Sequence, residues 1–173
     1  MNILTTIASA MALLVAVVAV AFLALGADRF WRFFGEPDLG PVVFETLQRR
    51  TSPNDALACP PGFCKALIDL ATPVYRLPAR DLRIALAKAM ADEPRATKVD
   101  SNDATLTDRY IVRSALMGYP DTVVVRFMDQ PDGRSTMALY SRSKFGHSDL
   151  GANKARIARL LAKVSSHVPH NSL

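Results

Sequence analysis

Residues 141–157 read Ser-Arg-Ser-Lys-Phe-Gly-His-Ser-Asp-Leu-Gly-Ala-Asn-Lys-Ala-Arg-Ile, and their reading decides the fold. A strand ends, a tight loop turns the chain, and the last helix begins. Met137, Leu139 and Ser141 alternate with Ala138, Tyr140 and Arg142, the two-residue period of a strand. Gly146 is placed to turn the chain through a positive φ. Ser148 is expected as the N-cap, with Asp149 in the first turn, where its charge suits the helix dipole. Leu150, Ile157, Leu160, Leu161 and Val164 then share one helix face, and Arg156, Arg159 and Lys163 are expected on the opposite one. Asn153 points with the apolar residues, so its amide is expected to be buried and bonded to backbone groups of the 141–148 loop.

Upstream, residues 105–117 alternate as a strand, Gly118-Tyr119-Pro120-Asp121 turns the chain, and the β-branched run 122–128 is a second strand. Asp132-Gly133 is a strong hairpin signal and leads into the third strand, 135–143. Residues 79–92 form a helix with Leu82, Leu86 and Met90 on one face and Pro94 just beyond its end. Residues 74–77 suit an edge strand, 65–70 one turn of helix, and 42–50 a short amphipathic helix or strand; 52–55 are turn residues. The expected class is α+β. An antiparallel sheet, a three-strand meander extended to four or five strands, carries helices on one face. The polar tail 165–173 is expected to fray.

Ser141, Arg142, Ser143, Gly146, Ser148, Asp149, Gly151, Asn153, Arg156 and Ile157 form the pattern S-R-S-x-x-G-x-S-D-x-G-x-N-x-x-R-I. This pattern resembles the signature of the domain of unknown function 1499 family. The segment Thr51-Ser-Pro-Asn-Asp-Ala-Leu-Ala-Cys-Pro60 is similar to that family too, as, more loosely, is Gly118-Tyr-Pro-Asp-Thr-Val-Val-Val125. The likeness spans residues 44–164. It implies a domain and no particular reaction or cofactor.

The N-terminus has a different character. Residues 1–27 hold no formally charged side chain, and 3–25 are apolar apart from Thr5, Thr6 and Ser9. As a helix that run spans about 35 Å, enough for a hydrocarbon core of roughly 30 Å. A cleaved signal peptide would carry a basic n-region and a shorter apolar stretch, so a retained single-pass anchor is the expectation. A juxtamembrane linker, 28–43, follows, and Phe30, Trp31, Phe33 and Phe34, interleaved with Arg29 and Arg32, suit a collar at headgroup level. Arg29 and Arg32 argue for a cytoplasmic domain. Cys59 and Cys64, a pair able to close a disulfide around Pro60-Pro61-Gly62, argue for an oxidising compartment and tip the expectation to the periplasmic side.

The net charge of +5 comes from scattered Lys and Arg, which suits a membrane surface better than nucleic acid. Two cysteines with four residues between them and three histidines, two of them (His167 and His170) in the tail, make a poor metal set. Ser141, Ser143, His147, Ser148 and Asp149 crowd together and suggest a hydrolase corner, yet crowding in sequence is not triad geometry. A phosphate at the helix start beside Arg142 competes with the expected Arg142–Asp149 pair. Arg113 and Arg126 either extend a basic surface or are solvated strand positions. The expected role is a membrane-anchored, non-enzymatic binding or accessory domain for a protein or lipid partner, with the hydrolase-like enzyme as the alternative.

Overall fold

The meander is the centre of a larger sheet in the computed structural model, which describes residues 2–168 and 170–171. In chain order the elements are α1 (Ile3–Arg32), β1 (Asp55–Cys59), β2 (Leu70–Ala71), β3 (Val74–Tyr75), α2 (Ala79–Ala91), β4 (Ala96–Asn102), β5 (Thr107–Arg113), β6 (Pro120–Gln130), β7 (Arg134–Ser143), α3 (Ala152–His167) and β8 (His170–Asn171). The sheet runs β2-β1-β7-β6-β5-β4, and β3 pairs with β7 and β8. The expected α+β class holds, but the sheet is mixed, not purely antiparallel. β1 and β2 run parallel, Ala58 opposite Leu70 and Cys59 opposite Ala71. The loop between them folds back under the Cys59–Cys64 disulfide, whose Cα atoms lie 6.2 Å apart.

Both faces of the sheet are covered. α2 and α3 pack on one, burying Leu82, Leu86, Met90, Ile157, Leu160 and Val164 against Ala58, Val123, Val125, Phe127, Met137 and Leu139. Helices on one face were the expectation. The opposite face holds Leu57, Cys59, Val124, Ala138 and Tyr140, roofed by Phe44, Leu47, Phe63 and Ile68. Burial on both faces explains why β6 and β7 read as near-continuous apolar runs. The roof has little regular structure. Phe44–Thr46 is one 3-10 turn where a helix or strand was expected, and 65–69 has no helical turn.

The expected anchor is α1, whose residues are all exposed or half-exposed to the surroundings and whose mean hydropathy over its most apolar stretch is 2.7. One N-terminal helix is therefore long and apolar enough to span a membrane. Gly26 breaks it with φ +74°, and Ala27–Arg32 turn back as a short helical segment. The 28–43 segment, expected as a linker, is docked on the domain. Asp38 accepts from Arg109 Nε at 2.7 Å, and Leu39 N donates to the Thr122 hydroxyl at 2.9 Å. At the other end, α3 runs to His167 and Val168 is buried, so the chain stays ordered past the expected boundary at Val164. Positions 169, 172 and 173 of that expected frayed tail lie outside the described residues.

Candidate functional site

Residues 141–157 build a closed polar core. Asn153 is fully buried, as its position on the helix predicts. Its Oδ1 accepts from the Ser141 hydroxyl at 2.5 Å and from Arg156 Nη1 at 2.6 Å. Its Nδ2 donates to Ser143 Oγ at 2.9 Å and to Asn54 O at 3.2 Å. The partners inside the loop are thus mostly serine side chains, not the backbone groups expected. Asn54 closes the corner from the other side. Its own Nδ2 donates to Gly146 O at 2.6 Å, and Ser143 N donates to Asn54 O at 2.9 Å. Two of the three segments that resemble the family, 51–60 and 141–157, therefore meet in one cluster.

Arg156 departs from expectation. Its side chain is 6% exposed and belongs to the core, not to a solvated face. Nη2 donates to Asp121 Oδ2 at 2.8 Å and Nη1 to Ser141 Oγ at 2.9 Å, while Glu93 Oε1 stands 3.8 Å from Nε. Glu93 is bridged to Arg159 at 2.7 Å. Asp121 opens β6 and Glu93 follows α2. Neither carries a local pattern that announces this role, and sequence reasoning missed both.

The helix start also differs. α3 begins at Ala152 after Gly151 at φ +81°, so Ser148 is not its N-cap. Asp149 supplies the side-chain acceptor instead, taking the Asn153 and Gly151 N–H groups at 2.9 Å each. The Ser148 hydroxyl accepts from Leu150 N at 3.2 Å, a local turn. Leu150 lies outside the helix with φ +53° and is 95% exposed, not on the apolar face. Gly146 takes the positive φ expected of it, +88°.

Arg142 does not pair with Asp149. Its Nη2 donates to Leu39 O and Gly40 O at 2.7 Å each and clasps the docked segment. Burial pushes this guanidinium down from its ordinary value, with Arg50 and Arg109 adding repulsion. Arg126 bonds Glu45 at 2.7 Å, and Arg113 pairs with Asp28, so neither is a free basic patch.

These contacts bear directly on the hydrolase alternative. A serine nucleophile must give its proton to a base. The Ser141 proton goes to an amide oxygen and its lone pair to a guanidinium, while His147 is exposed on the loop. The corner joins Ser141, Ser143, Asn153 and Arg156, and leaves His147, Ser148 and Asp149 in other roles. Among the described residues no cluster of three or more His, Cys, Asp or Glu is placed to hold a metal.

Two further clusters secure the sheet. Asp55, on β1, takes Arg49 at 2.7 Å and the Tyr140 hydroxyl. Burial alone would raise its carboxyl, but the hydrogen bonds from Arg49, Tyr140 and Arg50 N outweigh it and hold the group below its ordinary value. Asp108 behaves alike: burial is outweighed by Arg83, Lys98 and Ser101. Burial first, and these carboxylates second, push Tyr140 and Tyr110 upward.

The corner lies next to the anchor. The Trp31 ring stacks on Tyr119 at 4.5 Å and on Phe145 at 5.2 Å, and its Nε1 donates to Met117 O at 2.7 Å. Phe22, on the long apolar side of the Gly26 break, touches the same ring with centroids 6.4 Å apart. Gly118 makes the approach possible. A Cβ there would lie 2.6 Å from Ala27 Cβ, and its φ is +64°. Beyond this contact a surface groove of about 490 Å³ runs between the end of α2, the end of β5 and the first turns of α3, with Arg156 on its wall.

No curated protein matches the chain. The sequence model of a family described as proteins of unknown function, DUF1499, matches residues 55–164, a span that takes in β1, the whole sheet core and α3 up to Val164. The chain belongs to that family.

Proposed function

We propose that the protein is a membrane-tethered binding module without catalytic activity of its own, its domain held against the bilayer surface in an oxidising compartment. The observation that carries this reading is the Trp31 contact. One indole touches Phe22 at the end of the apolar helix and Tyr119 and Phe145 on the domain. Aromatic rings with one polar edge suit the headgroup layer. The direction of the domain's approach is thereby set by packing rather than by a loose tether. Apart from Arg156 Nε, the hydrogen-bonding groups of Ser141, Asn153 and Arg156 are taken up by one another and by their neighbours, which supports a scaffold over a reaction centre. The Cys59–Cys64 bond supports the compartment.

Two measurements test it. After carbonate washing of native membranes the full chain should stay in the pellet, since an apolar span is indifferent to pH and salt. Release of a chain lacking residues 1–26 would show a cleaved leader. In intact spheroplasts, denatured only after the external thiols are blocked, Cys59 and Cys64 should give no alkylation without prior reduction. Free thiols shielded from an impermeant reagent would place the domain in the cytoplasm.

A further inference from the structure

The groove beside the corner has a composition and a position that go together. Its wall carries Arg113, already held by Asp28 and Gly118 O, and Arg95, Arg156 and Arg159 against two carboxylates, Glu93 and Asp121. Those carboxylates are already paired, Glu93 with Arg159 at 2.7 Å and Asp121 with Arg156 at 2.8 Å. Arg95 donates Nη1 to Ser114 O at 2.8 Å and pairs with no carboxylate among the described residues. The Arg156 Nε is buried and makes no hydrogen bond, with Glu93 Oε1 3.8 Å away as its one ionic neighbour, in a place where such donors are normally hydrogen-bonded. The groove is therefore electropositive and short of acceptors, the complement of a phosphate.

Exposed apolar side chains stand close in the chain to residues that line the groove. Leu116 follows the lining residue Ala115 and is 88% exposed; Leu150, two residues before the lining residue Ala152, is 95% exposed. Leu150 is also held at φ +53°, a backbone conformation uncommon for leucine. Two exposed leucines, each within two residues of a lining residue, suit an amphiphile, not a free ion. The 114–119 loop that carries Leu116 is the one bonded to Trp31 through Met117 O, so this face is continuous with the anchor.

We infer that the groove binds the phosphate headgroup of an anionic phospholipid, with Arg95 and Arg159 as donors, Arg156 as the buried floor, and Leu116 and Leu150 entering the surrounding lipid. Charge complementarity selects the headgroup, and continuity with the anchor selects lipid over soluble phosphate. The inference rests on the proposed tethering.

The test uses the full chain in neutral detergent micelles, titrated with short-chain phosphatidic acid, phosphatidylcholine of the same chains, and inorganic phosphate. The emission of Trp31, the single tryptophan, and the thermal midpoint are followed. Phosphatidic acid should give a saturable change, with phosphatidylcholine and phosphate each at least about tenfold weaker. Arg95→Gln should raise the Kd about tenfold, the scale of one charge-assisted hydrogen bond, without lowering the midpoint of the unliganded protein by more than a degree or two; Arg159→Gln should raise the Kd likewise, but it also leaves the buried Glu93 short of its 2.7 Å partner and lowers the midpoint. Leu116→Ser should weaken the lipid and leave any phosphate binding unchanged. A flat titration, an equal response to phosphatidylcholine, or arginine variants that bind normally would overturn the inference. Phosphate binding as tightly as phosphatidic acid would show a soluble-anion site and overturn the lipid assignment. A protein that stays in washed membranes yet gives a flat titration loses the groove alone; one released by washing loses the tether.

Discussion

Arg156 Nη2 lies 2.8 Å from Asp121 Oδ2, and both side chains are 6% exposed. Breaking such a pair leaves a buried charge uncompensated, which costs about 3–5 kcal/mol. Arg156→Ala should lose about that much in denaturant unfolding of the full chain in micelles. Arg156→Lys should recover only part, because one ammonium cannot reproduce the fork that reaches Asp121, Ser141 and Asn153 together. A loss under about 1 kcal/mol for the alanine variant would contradict the buried role.

Asn153→Leu keeps the approximate volume and removes the group on which Ser141, Ser143, Asn54 and Arg156 converge. Each buried group left unanswered costs about 1–3 kcal/mol. The expected loss is about 3 kcal/mol or more. An unchanged unfolding midpoint would show that water replaces the amide at no cost and that the corner is not the scaffold described.

The start of α3 separates two neighbouring residues. Asp149 caps helix N–H groups through its carboxylate, whereas Ser148 makes only a local turn. Asp149→Ala should therefore cost about 1 kcal/mol and Ser148→Ala less than about 0.5 kcal/mol. The reverse order would restore Ser148 as the cap.

The pH dependence follows from Asp55 and Asp108, both held below their ordinary values. A lowered carboxyl contributes stability that is fully present above its unfolded pKa of about 4 and is lost as pH falls through the folded value. Tyr110 and Tyr140 are pushed up. Their contribution is present below about pH 10 and is lost as pH rises through the folded values. The urea midpoint should thus be flat near neutrality and fall at both ends. Asp108→Asn should lower the plateau and flatten the acid limb; an acid limb as steep as that of the unsubstituted chain would contradict the assignment.

What was legible in the sequence followed from periodicity and local chemistry. The 122–128 and 135–143 strands, the 79–92 helix and the burial of Asn153 come from side-chain spacing, and the observed elements reproduce them within a few residues. Ala96–Asn102 was missed because an edge strand with nearly every side chain in solvent has no apolar alternation. Asp55–Cys59, rich in alanine and set among turn residues, carries little strand propensity, and only burial between two layers makes it a strand. Arg156 was misplaced for a related reason. It sits about 60° round the helix from Asn153, at the edge of the buried face, and its partners Asp121 and Glu93 come from segments far away in the chain. Leu150 was misread because projection on a helical wheel holds only inside the helix, which begins two residues later.

The central claim is that the domain is seated on the bilayer through Trp31, and the fluorescence of this single tryptophan tests it most directly. In full-length protein reconstituted into vesicles, lipids brominated near the headgroup should quench Trp31 more strongly than lipids brominated near the chain ends, and aqueous iodide should quench it weakly. Gly118→Ala, which drives a Cβ into Ala27, should weaken the lipid quenching and strengthen that by iodide. Efficient iodide quenching of the unsubstituted chain, with none from brominated lipid, would contradict the account.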